Sequence, residues 1–378
     1  MAKLQRLFYR AVLFFGVLLA SGCAGLKEYT LPATQETSYD FSSYTVNPPG
    51  QDHWRFYYKD PKFQSVSFIN SQDYSVLTFW VMPYFENQST ENTSKGIVEY
   101  FQNKLLKEYR LSPDLRLKEE DIKHSQETIS GKTYEVLALN YIYEKEPYDL
   151  KIFYYVDQDN QLLFDTSYLI NQKKIKEDLQ PQFLEEMKQT MSQIKAKKVD
   201  PKDVILLRVY YSYADFIDST KDKYLMEKQG EIKEKFQTAL HEIEDWVRLK
   251  TPNDKALNLW GNLTTYNNKF EEYGEGFDAA KAENYFRQAI LASSYNVEAH
   301  MNLAKLLKHT KKIDEAVKEY QAALVISPMS DEVYHELGKI EEERSDKVKA
   351  KEYYKKAIRY WESGEQTLEE LKKKVEKL

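Results

Sequence analysis

The stretch that decides the fold of the C-terminal half is MNLAKLLKHTKKIDEAVKEYQAALVISP, residues 301–328. A second copy of its pattern follows at an offset of 34 residues. Small and aromatic residues recur at matching places, in the pairs Leu303/Leu337, Ala304/Gly338, Ala316/Ala350, Tyr320/Tyr354 and Ala323/Ala357. Pro328 closes the first copy, and proline stops a helix because it has no backbone N–H to donate. The spacing predicts an internal repeat built from helices.

This repeat resembles the tetratricopeptide repeat (TPR), in which small residues stand where two helices touch and an aromatic side chain fills the gap between them. One repeat earlier, the same lattice continues in Ala282, Phe286 and Ala289. That earlier repeat begins with LWGNL (259–263), and the connection EEYGEGFDAAKAE (271–283) predicts an enlarged loop between its two helices. The alternative is a generic helical bundle with coincidental spacing.

Helical periodicity continues to the end of the chain, so we expect an all-α TPR solenoid over residues 198–378. Its last segment is rich in Lys and Glu and carries one apolar stripe, formed by Leu368, Leu371, Val375 and Leu378. A helix that is apolar on one side and charged on the other is what the end of a solenoid requires. The stripe therefore predicts a C-terminal capping helix.

Stacked repeats expose their first helices on one concave face, which commonly binds a peptide or a partner helix. The resemblance implies that the second, fifth, sixth, ninth and twelfth positions of each repeat line this groove. The candidate partner-binding residues are then Asn258, Asn262, Glu298, Met301, Asn302, Lys305, Lys308, His335 and Lys339, and equivalent positions hold Glu332, Glu336 and Glu342. Some TPR proteins clamp a C-terminal carboxylate with Lys and Asn there. Glu298, Glu332 and Glu336 would repel a carboxylate, so no such clamp is predicted.

Residues 51–197 predict an α+β domain, an antiparallel sheet with packed helices. Alternation of period two predicts that Trp54, Phe56 and Tyr58 lie on one face of an early strand. Residues 158–160 predict a hairpin turn between two later strands. Helices are predicted from about residue 91 to residue 109 and from about Pro181 onward. Strands joined by short turns pair antiparallel, with the helices packed on the sheet.

Three features of this domain resemble the PsbP-like fold found in small bacterial lipoproteins. They are the early tryptophan strand, the turn and strand SGKTYEVL (130–137), and the late meander that ends in FLEEMKQTMSQI (183–194). The resemblance implies a binding or scaffold domain and no catalysis.

The chain opens with MAKLQRLFYRAVLFFGVLLASGCAG, in which three basic residues precede an apolar run over residues 11–20. This run is half of the roughly 20 residues that span a bilayer, so residues 1–22 predict a signal peptide. The small residues before Cys23 resemble the lipobox of bacterial lipoproteins, which implies cleavage before Cys23 and acylation of its thiol, for example with palmitate. The alternative is an ordinary signal peptide or a buried helix with an incidental cysteine.

A lipidated Cys23 places the protein in the cell envelope, at the periplasmic face of the outer membrane if the source is Gram-negative. Residues 23–50 predict a flexible tether, because they are rich in Thr and Ser, show no sustained period and end in Pro-Pro-Gly.

Composition and motifs exclude several classes of function. The net charge is −6 and no basic stripe is present, so nucleic acid is excluded as a partner. The sequence carries no recognisable catalytic, metal-ligand or cofactor motif, so no enzyme, metal or cofactor is expected.

The functional hypothesis is a membrane-anchored extracytoplasmic adaptor or scaffold that binds protein partners in the TPR groove. The alternative is a receptor for a small or lipidic ligand held in the α/β domain.

Overall fold

A computed structural model describes most of the chain as two compact units. The described residues are 32–35, 37–60, 62–84, 115–116, 122–143, 145–173, 179–220, 229–249, 253–360 and 365–378. The unit boundary falls between Asp218 and Ser219, and we call the two parts the sheet unit and the repeat unit. The predicted signal peptide, Cys23 and the helix predicted over residues 91–109 lie outside the described residues. Within the described ranges, no helix is long and apolar enough to span a membrane.

The sheet unit is built on antiparallel strands, as predicted. Its strands are β1 (Tyr39–Asp40), β2 (Tyr44–Val46), β3 (Trp54–Asp60), β4 (Ser65–Asn70), β5 (Val76–Pro83), β6 (Leu115–Arg116), β7 (Ile122–Ile129), β8 (Lys132–Tyr143), β9 (Glu146–Asp157), β10 (Leu162–Asn171) and β11 (Lys195–Ala196). The large sheet has the order β3-β4-β5-β10-β9-β8-β6, with β7 also paired to β8. The hairpin predicted at residues 158–160 connects β9 to β10, and the side chain of Asp157 accepts a hydrogen bond from the amide of Asn160 at 3.2 Å.

Two details of the sheet differ from the sequence-based expectations. The register between β3 and β4 shifts between Phe56 and Tyr58. This β-bulge adds one residue to β3, so Tyr58 faces the side opposite to Trp54 and Phe56, and the prediction of a shared face is wrong. Strand β7 is polar and mostly exposed, so its sequence lacks the alternation that identifies a half-buried strand.

The segment predicted as a flexible tether over residues 23–50 is folded from Pro32 onward. Tyr39 and Tyr44 are fully buried, and β1, β2 and β11 form a small antiparallel sheet. The Tyr44 hydroxyl donates to the carbonyl of Gln64 at 2.9 Å. Apolar side chains recur every two or three residues in this segment, and their burial stabilises its packed conformation. This stabilisation is larger than the flexibility that the Ser and Thr content indicates.

Among the described residues, the α-helices of the sheet unit are α1 (Gln180–Ser192) and α2 (Pro201–Thr220), whose last two residues lie past the unit boundary. The start of α1 confirms the helix predicted near Pro181, and its Phe183 and Met187 are fully buried. Helix α2 packs on the sheet unit, since the Tyr211 hydroxyl donates to the carbonyl of Val81 at 3.1 Å. The sequence predicts that the solenoid begins at residue 198, whereas residues 201–218 lie in the sheet unit and their aromatic face packs there.

The repeat unit is helical. Its described helices are α3 (Gln229–Arg248), α4 (Asp254–Thr264), α5 (Ala279–Ala292), α6 (Val297–His309), α7 (Ile313–Ile326), α8 (Asp331–Glu343), α9 (Lys347–Arg359) and α10 (Glu365–Lys377). We call α4, α6 and α8 the first helices and α5, α7 and α9 the second helices of three repeats. Side chains of Asn253, Asn296 and Ser330 cap the first helices by accepting from backbone amides, which satisfies N–H groups that have no partner within the helix.

Small residues let each first helix approach its second helix. A Cβ atom at Gly261 would lie 2.5 Å from the ring of Phe286, and one at Gly338 would lie 2.5 Å from the ring of Tyr354. In the middle repeat, Ala304 and Tyr320 share one buried cluster. These contacts confirm the predicted pairing of a small residue with an aromatic one.

Both ends of the repeat array match the sequence analysis. The enlarged loop lies between α4 and α5, and its Tyr273 and Phe277 pack on the ring of His309 with centroids 4.9 and 5.4 Å away. At the C-terminus, α10 buries Leu371 against Ala350 and Tyr354, which confirms the capping helix.

Candidate functional site

The first helices lie side by side and present equivalent positions to one face, which we call the groove face. Its members are the predicted residues Asn258, Asn262, Glu298, Met301, Asn302, Lys305, Lys308, His335 and Lys339, together with Glu332, Glu336 and Glu342. Gly261, Ala304 and Gly338 occupy the same place in successive repeats, where each first helix meets its second helix. These three residues define which positions of the first helices are equivalent. Asn262, Lys305 and Lys339 are therefore equivalent, as are Asn258, Met301 and His335.

Two of the predicted partner-binding residues contribute to packing instead of an open surface. Met301 is 5% exposed and belongs to the apolar cluster around Tyr320. Asn258 is 2% exposed, and its side-chain oxygen accepts a hydrogen bond from Asn302 at 3.0 Å. A methionine at a first-helix position has enough length to fill the gap between repeats, and a buried amide needs a hydrogen-bond partner.

Ion pairs connect α6 to α8 across the groove face. The ammonium of Lys305 lies 2.7 Å from a carboxylate oxygen of Glu332. The ammonium of Lys308 lies 3.3 Å from Glu336 and 3.4 Å from Glu343, and Lys339 lies 2.7 Å from Glu336. Every lysine predicted to contact a partner is thus paired with a glutamate of the third repeat. We call this set the ion-pair ladder.

The ladder influences the charge state of its enclosed member Glu336 and of the neighbouring His335. Burial disfavours ionisation of Glu336, but the hydrogen bonds and charges of Lys339 and Lys308 outweigh it and lower the pKa of this carboxyl. Burial, together with the charge of Lys339, lowers the pKa of His335. The imidazole of His335 is therefore neutral near pH 7, and its ring lies 5.8 Å from that of Tyr354.

The arrangement works against a carboxylate clamp. A peptide carboxylate would have to displace Glu332 or Glu336 from the lysines, and it would meet their repulsion while doing so. The lysine and glutamate side chains of the ladder remain partly exposed. They can exchange hydrogen bonds with the main chain and polar side chains of a bound segment, because surface ion pairs are individually weak. Asn262 and Glu298 are half-buried beside them.

The capping helix adds a residue to this face that the sequence analysis missed. Lys374 of α10 lies 2.6 Å from Glu342 of α8, and its ammonium stands 5.1 Å from the centre of the Tyr354 ring. The Tyr354 hydroxyl donates to the same glutamate at 2.7 Å. The apolar stripe on α10 predicts a cap and places its lysines on the charged side of the helix, without indicating a contact for Lys374. Only the packing of α10 on α9 brings Lys374 back to α8.

His300 lies in α6 and links α6 to α7. Its Nδ1 lies 2.7 Å from Glu319, and its Nε2 lies 3.3 Å from the carbonyl of Ser294. Both ring nitrogens face acceptors, and only the imidazolium can donate to both. The hydrogen bond with Glu319 raises the pKa of His300 above its ordinary value against an opposing effect of burial. Arg287 also interacts with Glu319.

We expect the stability of the repeat unit to depend on pH through His300. A pKa raised by folding contributes stability that is complete below about pH 6.5 and is lost as pH rises through the folded-state pKa. In a His300→Gln variant this contribution is absent. Urea unfolding of both proteins between about pH 5 and 8 should show the wild type losing its advantage as pH rises. Equal pH dependence of the two proteins would contradict the assignment.

Among the described residues, no group of three or more His, Cys, Asp or Glu side chains could hold a metal ion.

The comparison with known proteins gives solved structures and family models that are similar to parts of this chain. No curated protein matches the chain. The solved structures most similar to it include MamA, at 18% identity over 47% of this chain and 99% of that chain, with a TM-score of 0.31. YrrB, described as a TPR protein with an unusual peptide-binding site, is 19% identical over 47% of this chain and 79% of its own, with a TM-score of 0.29. The Sgt2 TPR domain from Aspergillus fumigatus is 20% identical over 34% of this chain and 79% of its own, with a TM-score of 0.28.

Family models match the chain itself. One model described as tetratricopeptide repeat matches residues 275–339, and a second with the same description matches residues 331–360. These residues hold α5 to α9, with the small and aromatic contacts described above. Residues 275–360 of this chain are tetratricopeptide repeats.

Proposed function

We propose that the protein is a non-enzymatic adaptor or scaffold that holds a peptide or helix of a protein partner on its groove face. The observation that carries the proposal is the ion-pair ladder, where partly exposed, paired charges of both signs line two adjacent first helices, α6 and α8. Such a face offers donors and acceptors in alternation to an extended or helical segment. Because its charges are already compensated, recognition rests on exchange of hydrogen bonds and gives modest affinity.

The second part of the proposal is that Cys23 is lipidated and anchors the protein on the extracytoplasmic side of a membrane, in the cell envelope. The supporting observation is the resemblance of residues 1–23 to a lipoprotein signal and lipobox. The sheet unit, by its resemblance to the PsbP-like fold, is then a binding or scaffold domain near the membrane. Anchoring raises the local concentration of other envelope proteins, so modest affinity is sufficient.

The folded N-terminal segment shortens the tether that the sequence predicts over residues 23–50. Pro32 pairs with Arg55 of β3, and Ala33 accepts a hydrogen bond from the Tyr39 hydroxyl at 3.2 Å. If Cys23 is the anchor, at most the residues between Cys23 and Pro32 could serve as a tether, and a chain of that length spans at most about 30 Å when fully extended. The sheet unit would therefore remain close to the lipid surface.

The groove is tested by reversing two of its charges in the anchored full-length protein. We expect Lys305→Glu combined with Lys339→Glu to lower recovery of a crosslinked partner from the protein's own cells about tenfold or more. The reversed charges repel Glu332 and Glu336 and remove two of the three lysine donors of the ladder. The matched control is Lys349→Glu combined with Lys372→Glu, which reverses two exposed lysines elsewhere in the repeat unit. Thermal unfolding of each variant confirms that it is folded.

Equal recovery of the same partner from all three proteins would show that the groove face is not used. The anchor is tested separately, because Cys23→Ser should move the protein from the membrane fraction to the soluble fraction. Retention of the Cys23→Ser protein in the membrane would contradict the anchor and leave the groove result intact.

A further inference from the structure

Helix α9 carries a line of basic side chains. A basic residue stands at every fourth position of this helix, at Lys347, Lys351, Lys355 and Arg359. We call these four residues the cation row. Their side chains are exposed or half-buried, and none of them forms an ion pair or a hydrogen bond with another described residue. At about 1.5 Å per residue, the row runs about 18 Å along α9.

The cation row stands where the preceding repeat packs on its neighbour. At the 34-residue offset, its first two members correspond to Ile313 and Val317 of α7. Those two side chains pack against the apolar cluster that α7 shares with α8. Helix α10 covers Ala350 and Tyr354 of α9 with Leu371 and leaves the row accessible. A polar face is enough to end a repeat array, and charges of both signs would serve that purpose.

The surroundings of the row do not neutralise it. Helix α9 contains six basic residues and one acidic residue, Glu352. Helix α10 contains four of each sign. Glu342 of α8 interacts with Lys347 at longer range, but it is already paired with Lys374. Like charges four residues apart destabilise a helix, and a face that served only solubility would avoid this by mixing signs, as α10 does.

Three tyrosines and an exposed valine lie on or against the same helix. The ring centroid of Tyr334 lies 6.3 Å from that of Tyr353 and 5.8 Å from that of Tyr360. The ammonium of Lys356 stands 5.5 Å from the centre of the Tyr334 ring, and Val348 is 71% exposed. Tyrosine is enriched where proteins meet the headgroup layer of a bilayer. Lysine stems lie along apolar surface there, while their ammonium groups reach the polar layer.

We propose that the cation row binds the last repeat to the anionic headgroups of a phospholipid bilayer. Each Lys or Arg close to an anionic bilayer adds electrostatic attraction, and the four members of the row add theirs along one line. The net charge of −6 of the whole chain opposes the contact only weakly, because repulsion between exposed charges is screened beyond about 10 Å.

A bilayer is favoured over a soluble polyanion. All four cations lie on one helix, so they form a line that suits a surface better than an enclosed ligand. The acidic sequence predicts no basic stripe, and α9 is a local exception. Its four cations are fewer than the roughly 6–10 phosphate contacts of a strongly salt-dependent DNA-binding protein. The contact requires neither the groove face nor an anchor at Cys23, so it goes beyond the proposed function.

The test uses residues 24–378, which contain every described residue and lack both Cys23 and the predicted signal peptide. We expect this protein to cosediment at low salt with vesicles of phosphatidylglycerol and phosphatidylcholine, but not with vesicles of phosphatidylcholine alone. Replacing the three exposed members by Lys347→Gln, Lys355→Gln and Arg359→Gln should weaken binding to the mixed vesicles about tenfold or more. High salt should reduce this difference, because it screens the attraction.

The matched control replaces three exposed lysines elsewhere in the repeat unit, as Lys269→Gln, Lys281→Gln and Lys318→Gln. It changes the net charge equally and should leave binding to the mixed vesicles unchanged. Thermal unfolding confirms that both variants are folded. Equal losses in the two variants would overturn the proposal, since net charge alone would then govern the contact.

Two further results would overturn the bilayer contact. One is that the unsubstituted protein fails to bind the mixed vesicles. The other is that a polyglutamate peptide or a DNA duplex binds at least as tightly as the vesicles and loses this binding in the variant of the cation row. The row would then bind a soluble polyanion. The groove test and the Cys23→Ser test stand apart from each of these outcomes, because neither alters the cation row.

Discussion

Replacement of Tyr320 by alanine should lower the free energy of unfolding of the repeat unit by about 3–5 kcal/mol, the range for loss of a buried aromatic side chain. The ring is fully buried and packs in a cluster with Ala304, Met301 and Leu337. Each repeat contacts mainly its neighbours, so a cavity here separates the repeats on either side. Urea unfolding combined with hydrogen exchange in α6, α7 and α8 measures the loss.

Phenylalanine variants separate the ring from its hydroxyl. The Tyr320 hydroxyl is buried and finds no hydrogen-bond partner among the described residues, so Tyr320→Phe should leave stability unchanged or raise it by up to about 1 kcal/mol. Tyr354 occupies the equivalent position but donates to Glu342 at 2.7 Å, so Tyr354→Phe should cost about 1 kcal/mol. Equal effects of the two phenylalanine substitutions would contradict this account.

Replacement of Glu186 by leucine should destabilise the sheet unit by about 2–4 kcal/mol. The buried carboxylate of Glu186 in α1 accepts hydrogen bonds from the indole of Trp54 at 2.8 Å and from Gln182 at 2.9 Å. The ring of His53 lies within hydrogen-bond distance of the same carboxylate at 2.8 Å. Leucine leaves the buried indole N–H without an acceptor, and the connection between β3 and the helix on the sheet is lost.

A double-mutant cycle assigns this loss to the hydrogen bond. Trp54→Phe removes the indole donor, so Glu186→Leu should cost about 1 kcal/mol less in that background than in the wild type. Hydrogen exchange in β3 and α1 provides the measurement. Additive effects of the two substitutions would show that the hydrogen bond between Trp54 and Glu186 does not account for the loss.

The candidate groove was located by the sequence but not resolved into open and buried positions. The 34-residue spacing identified the first helix of each repeat. The positions of that helix that face the groove follow from the helical period, which is a local property of the sequence. It did not distinguish Met301 from Lys305, since both stand at groove positions of α6. Met301 is enclosed because Tyr320, Val333 and Leu337 come from α7 and α8 to cover it. The role of Lys374 depends in the same way on how α10 packs.

The sequence alone determined the repeat, its small and aromatic contacts, the capping helix and the antiparallel character of the sheet. These features depend on periods and turns that a short stretch of chain contains in full. Tertiary structure decided which residues face solvent, which glutamate neutralises each groove lysine, and that residues 39–46 fold. It also decided that Glu186 meets Trp54 across 132 residues. Such contacts join parts of the chain that have no fixed spacing, and burial of apolar surface from both parts determines where they meet.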